Sequence, residues 1–218
     1  MNKPLKTKAV IFDRDGVIID TQGLLITSVR FAFKQLGFEL QEEDIDQLIG
    51  RSIEDYLQYF LKKWDFDSVE FKEILYKKFY SNLDKAPILS DTINLINNLY
   101  RKNITLALTT SAGREGTLLI LNKIDILNNF KVIVTKEDVQ HRKPDPEPYA
   151  LTGEKLGIEP KYCVAIEDTA LGVESAKGAG MKCIAIPNKY TIDQDFSLAD
   201  AVVKSANEIE DMLEIFKT

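Results

Sequence analysis

Short, unbroken apolar runs punctuate the chain at Ala9-Val10-Ile11-Phe12, Ile104 to Leu108, Val132-Ile133-Val134, Cys163-Val164-Ala165-Ile166 and Cys183-Ile184-Ala185-Ile186, with a weaker one at Ala201-Val202-Val203. They are rich in β-branched residues and lack polar alternation, as strands covered on both faces of a parallel sheet require. Between several of them the apolar spacing is helical. Ile93, Ile96, Leu99 and Tyr100 precede the Ile104 run, and the Ala- and Gly-rich stretch Thr169 to Ala179 precedes the Cys183 run. Strand, helix and strand in repetition predict right-handed crossovers and an α/β fold with a doubly wound, Rossmann-like parallel sheet.

One interval breaks this rhythm. The stretch between the first run and the Ile104 run is far longer than a single crossover needs. Inside it Leu25, Val29, Ala32 and Leu36 share a helical face, as do Leu57, Phe60, Leu61 and Trp64, and then Phe71, Leu75, Phe79 and Leu83. Gly37, Gly50 and Asp65-Phe66-Asp67 mark breaks. The expected organisation is a core formed by residues 1–19 and 87–218, with a helical cap inserted at 20–86. The stripe of Tyr56, Tyr59, Phe60 and Trp64 suits helix packing better than a substrate wall.

Composition narrows the partners. A net charge of -6 suits neither nucleic acid nor an anionic membrane. Cys163 and Cys183 lie inside apolar runs with no zinc-site spacing, which points to reduced thiols in a cytoplasmic protein. The N-terminal stretch has no long apolar segment that would read as a signal or anchor. A monomer is expected.

The chemistry gathers where the strands end. Asp13 and Asp15 follow the first run. Side chains alternate along a strand, so both carboxylates are expected on one side and Arg14 on the other. Gly16 lets the chain turn immediately afterwards. An EF-hand loop starting at Asp13 is excluded, because Val17 and Leu24 occupy its fifth and twelfth positions. Glu167 and Asp168 end another run, either to cap the following helix or to face a ligand. Carboxylates crowded at one sheet edge repel unless they are protonated or bridged by a cation, and hard oxygen donors favour Mg²⁺. Thr110 and Ser111, with Gly113 after them, offer hydroxyls and amides as an anion site or as a helix cap. Lys143 lies in His-Arg-Lys-Pro-Asp-Pro, where Pro144 and Pro146 stiffen its presentation. His141, the only histidine, is assigned no role.

Asp13-Arg14-Asp15-Gly16-Val17, Thr110-Ser111, Lys143-Pro144 and Glu167-Asp168 with Gly172 occur in this order along almost the whole chain. Together they resemble the haloacid dehalogenase-like superfamily, in particular its β-phosphoglucomutase and sugar-phosphate phosphatase branch. The resemblance implies Asp13 as a nucleophile that forms an aspartyl-phosphate, and Asp15 as general acid and then base. It implies Mg²⁺ held by Asp13, the Asp15 carbonyl and Asp168, with Glu167 direct or through water. Thr110 and the Ser111 amide would bind phosphoryl oxygens, and Lys143 would offset their charge. The dehalogenases of the superfamily lack an acid at the second aspartate, so Asp15 argues for phosphate esters.

The implied activity is a Mg²⁺-dependent phosphatase of a small phosphorylated metabolite, a sugar or polyol phosphate. A phosphosugar mutase is the alternative, weakened because Leu25 and Ile53 stand where the mutase has a cap histidine and a phosphate-gripping arginine. Arg51 is the nearby substitute, and it is expected with Arg114 to influence selectivity. Arg14 takes the place of a residue that is usually apolar in this branch. Because it is expected to face away, little effect is attached to it. A non-catalytic receiver-like phospho-binding domain is a further alternative, and the long helical insertion counts against it.

Overall fold

The structure is a computed structural model describing residues 7–49 and 53–215. The chain divides into two compact units, one built from the residues up to Ile19 and from Ile88 onward, the other from Asp20–Pro87. The helical unit ends one residue later than the sequence pattern suggests, because the Pro87 carbonyl accepts the Asp20 amide at 2.8 Å.

Six strands, β1 (Ala9–Phe12), β2 (Thr105–Thr109), β3 (Val132–Val134), β4 (Cys163–Glu167), β5 (Lys182–Ala185) and β6 (Ala201–Val202), form one parallel sheet in the order β3-β2-β1-β4-β5-β6. The helices are α1 (Gln22–Gln35), α2 (Ile53–Lys63), α3 (Ser68–Tyr80), α4 (Ser90–Arg101), α5 (Arg114–Lys123), α6 (Glu147–Leu156), α7 (Ala170–Gly178) and α8 (Ile209–Ile215). The strands fall where the apolar runs place them.

The alternation of side chains divides the sheet into a large-residue face and a small-residue face. Val10, Phe12, Leu106, Leu108, Val164, Ile166 and Ile184 pack with Leu95, Ile96 and Leu99 of α4 and Leu121 of α5. On the other face Ala9, Ile11, Ala107, Ala165 and Ala185 pack with Tyr149 of α6 and with Val173 and Ala176 of α7. Small strand residues let those two helices approach closely, which brings Tyr149 down to the sheet. Tyr100 was expected on the buried face of α4, yet it is half exposed. Leu95 takes the inward place, one helical turn before Leu99.

The helical unit has its own core. Phe33 of α1 sits at its centre, with ring centroids 4.4 Å from Phe71, 4.7 Å from Phe60 and 4.9 Å from Trp64. Tyr56 and Phe60 are buried there, and Tyr59 and Trp64 pack against the same cluster, so the aromatic stripe is helix packing. Leu61 of the same helix is exposed. No helix among the described residues is long and apolar enough to cross a membrane.

Candidate active site

Strand register explains why distant polar residues meet. Phe12 of β1 lies beside Leu108 of β2 and Ile166 of β4. One residue further, Asp13, Thr109 and Glu167 leave three neighbouring strands at the same level. The Asp13 amide still donates to the Ile166 carbonyl at 3.0 Å. β1 and β4 are the strands between which the sheet order reverses, and ligands of such sheets sit in the crevice beyond that point.

Lys143 joins the three strand ends. Its ammonium donates to Asp13 Oδ1 at 2.7 Å, to Glu167 Oε1 at 2.5 Å and to the Thr109 carbonyl at 3.0 Å. Tyr149 donates its hydroxyl to the same Glu167 oxygen at 2.6 Å, and its ring centroid lies 4.9 Å from the ammonium. Asp168 accepts from Asn188 Nδ2 at 2.8 Å. Carboxylate oxygens of Asp13, Glu167 and Asp168 all lie within 4.8 Å of one another.

Two glycines leave room for this cluster. A Cβ on Gly16, whose φ is +80°, would stand 1.9 Å from an Asp168 carboxylate oxygen. A Cβ on Gly172 would stand 2.0 Å from the Glu167 carboxylate. Both clashes are far inside van der Waals contact, so the sequence reserves these positions for the acidic side chains.

Electrostatics show what the cluster lacks. Burial pushes Asp13 up to about 7; Lys143 opposes the rise, while Glu167 and Asp15 add to it. Asp168 is held well above the usual carboxylate range, first by burial and then by the charges of Asp13 and Glu167. Burial alone would lower Lys143, but the charges of Asp13 and Glu167 raise it overall, so it remains an ammonium. Three buried carboxylates thus share one fixed cation. Such a set of hard oxygen donors fits a divalent ion of the Mg²⁺ type.

Helix capping does not explain these residues. The N-cap of α7 is Thr169, whose hydroxyl accepts from the Gly172 amide at 3.1 Å, and Asp168 takes no part. The N-cap of α5 is Gly113, with no side-chain bond. Thr110 is buried and its hydroxyl accepts from the Ala112 amide at 3.1 Å, while Ser111 is exposed. Arg114 pairs with Asp138 at 2.5 Å. Arg51 lies outside the described residues.

Arg14 departs most from expectation. It does not simply face away: it is buried and its guanidinium grips the Asp15 carboxylate, with Nη2 2.8 Å from each oxygen. The strand-alternation rule fails here because β1 ends at Phe12 and the backbone is already turning at Gly16. Two further residues were not identified from the sequence. Tyr149 follows Lys143 by six positions, and its only signal is a hydroxyl on the sheet-facing side of α6. Asn188 stands just past β5, the sole polar residue that reaches Asp168 among the bonds described.

A Rossmann-like α/β core with an acidic strand-end site is the class that this geometry defines. The sequence profile of the haloacid dehalogenase-like hydrolases matches residues 10–186, and the chain belongs to that family. It is 31% identical over 216 residues to a phosphorylated carbohydrates phosphatase of Thermotoga maritima, covering 96% of this chain and 98% of that one. It is 27% identical to a beta-phosphoglucomutase of Bacillus subtilis, covering 93% of this chain and 91% of the other. Among solved structures it is similar to CbbY from Rhodobacter sphaeroides in complex with phosphate, with a TM-score of 0.82 and 25% identity over 93% of this chain and 96% of that one.

Proposed function

We propose that the chain is a phosphoric monoester hydrolase acting on small sugar or polyol phosphates through an aspartyl-phosphate on Asp13. The observation that carries this reading is the Lys143 ammonium held between Asp13 and Glu167, beside Asp168, at the switch point of the sheet. Phosphoryl transfer needs positioning and charge neutralisation more than covalent assistance. A carboxylate nucleophile approaching a phosphate dianion needs cations on both.

Asp13 and Asp168 would hold Mg²⁺ through their carboxylates, with the Asp15 carbonyl and with Glu167 direct or through water. When bound, the ion supplies the positive charge that the three carboxylates lack and screens the phosphoryl oxygens. Asp13 Oδ attacks phosphorus, and the P–O bond to the leaving group breaks. Asp15 gives that oxygen its proton, then takes one from the water that releases phosphate from Asp13. Lys143 keeps Asp13 aimed and offsets phosphoryl charge. The Thr110 hydroxyl and the Ser111 amide are assigned to the phosphoryl oxygens. The choice among esters is assigned to the helical unit, with Arg51 as a contributor, and to Arg114 at the start of α5 in the α/β unit.

Hydrolysis is preferred over mutase action. Leu25 and Ile53 pack against the apolar core of the helical unit, so neither position offers the histidine or arginine by which a mutase keeps a bisphosphate intermediate. A receiver-like domain has no use for Asp15 as an acid or for a 20–87 insertion. The test is Asp13→Asn with p-nitrophenyl phosphate and Mg²⁺: turnover is expected to vanish, and acid-trapped phospho-protein with it. Retained turnover refutes the assignment, and a stable phospho-form in the unaltered protein without phosphate release favours the receiver.

A further inference from the structure

We infer that Arg14 is a positioning residue for Asp15, fixing the carboxylate that serves as acid and base. This rests on the hydrolase reading above. Three observations lead to it. The guanidinium forks onto Asp15, with Nη2 at 2.8 Å from both oxygens and Nε at 3.2 Å from Oδ1. Its other end is anchored, since Nη1 donates to Thr117 Oγ1 at 2.9 Å, and that hydroxyl donates onward to the Gly113 carbonyl at 2.8 Å. Its backbone is fixed too, because the Arg14 carbonyl accepts the amides of Ile18 at 2.8 Å and Ile19 at 3.2 Å. Arg14 is 3% exposed, whereas the Asp15 side chain is 34% exposed. A buried, anchored cation thus holds a partly exposed carboxylate in one orientation.

That restraint matters to the reaction. An acid must stand within hydrogen-bond reach of the leaving oxygen when the P–O bond breaks, and a small displacement is costly. Arginine suits the task because its planar fork sets the orientation of a carboxylate, whereas lysine offers only a point charge. Thr117 carries the restraint into α5, so the clamp moves with the sheet and not with solvent.

Leaving-group dependence separates positioning from mere stabilisation. p-Nitrophenolate leaves with little protonic help; phenolate needs more. With Mg²⁺ present, Arg14→Leu should lower kcat/KM about 10-fold or more on phenyl phosphate and by about 3-fold or less on p-nitrophenyl phosphate. Inhibition by inorganic phosphate should stay within about twofold, because the phosphate site is untouched. Arg14→Lys should fall between. Thr117→Val, which keeps the guanidinium, should show a smaller loss of the same selectivity and carries the test if Arg14→Leu does not fold. Equal losses on the two esters, or no loss, overturn the inference alone. Failure of the unaltered protein to hydrolyse either ester overturns the hydrolase reading and this inference with it.

Discussion

Each unit buries a carboxylate beside a lysine, and the two carboxylates titrate in opposite directions. In the helical unit Asp44 is fully buried. It accepts from Lys63 at 2.6 and 2.8 Å, from the Tyr59 hydroxyl at 3.0 Å and from the Gln41 amide at 2.9 Å. Burial pushes it up, but the bonds from Lys63, Gln41 and Tyr59 outweigh burial and hold it below the ordinary range. In the α/β unit Asp13 also has a lysine at 2.7 Å, yet it is pushed up to about 7. The difference lies in the accounting of charge. Asp44 has donors to itself, whereas Lys143 is divided between Asp13 and Glu167 with Asp168 close by. A buried carboxylate that is fully supplied with donors holds a fold together. A group of them left short of positive charge awaits a ligand.

The contrast breaks most sharply at the lysines. Lys143→Met removes the one fixed cation from three carboxylates and should lower turnover of p-nitrophenyl phosphate by roughly 10²- to 10³-fold, the cost typical of losing one electrostatic contact to the reacting group. Lys63→Met should leave that turnover within about twofold and show itself in thermal melting. Near-normal turnover of Lys143→Met would remove the lysine from the reaction. Gly172→Ala comes next. Its Cβ would meet the Glu167 carboxylate at 2.0 Å, and displacing that carboxylate should weaken Mg²⁺ activation by about 10-fold or more. A titration of rate against Mg²⁺ measures it, and an unchanged midpoint would separate Glu167 from the ion.

Much of this was readable from the chain, and the limits have physical causes. The runs at Ala9, Val132 and Cys163 announce their strands because strands buried on both faces need continuous apolar residues. Asp13, Glu167 and Asp168 were readable as candidates because each follows such a run at once. Lys143 follows no run, and the proline-flanked segment gives only a hint of where its ammonium ends. The Arg14–Asp15 clamp was hidden because strand alternation was carried as far as Asp15, three residues past the strand's end at Phe12. Asn188 and Tyr149 were hidden for a different reason. Each is defined by a partner in a distant segment, Asp168 and Glu167, and nothing local in the sequence marks a hydrogen bond of that kind.

Proton linkage sharpens the contrast in the metal-free protein. Asp13 rises from 3.8 to about 7 on folding, so between those values the folded chain holds a proton that the unfolded chain has released. Its contribution therefore makes the protein more stable as pH falls from about 7 towards 4, by up to about 1.4 kcal/mol per pH unit. Asp44, lowered on folding, acts with the opposite sign: its contribution is present above the ordinary carboxylate value and is lost as pH falls through its depressed one. Melting in EDTA across pH 7 to 5 should thus show a rise that Asp13→Asn diminishes. Saturating Mg²⁺ should flatten the slope and raise the midpoint, since a ligand at 100 times its Kd contributes about 2.7 kcal/mol. A pH slope that survives both Asp13→Asn and Mg²⁺ would place its source elsewhere.

Asp44→Asn should have the smallest effect. The amide is nearly isosteric and keeps one oxygen acceptor, but its NH2 faces donors that it cannot serve. Lys63, whose side chain is 34% exposed, can turn its ammonium to water, which limits the damage. Asp44 also closes the capping box of the Glu42–Gln47 turn by accepting the Gln41 amide, and that bond is weakened with it. Together these put the loss at about 1–2 kcal/mol, or a few degrees of melting temperature in a chain of this size. The loss should be the same with and without Mg²⁺, and p-nitrophenyl phosphate turnover should stay within about twofold. If the loss instead grows when Mg²⁺ is added, Asp44 is linked to the ion, and the division between a fold-holding carboxylate and a ligand-awaiting one fails.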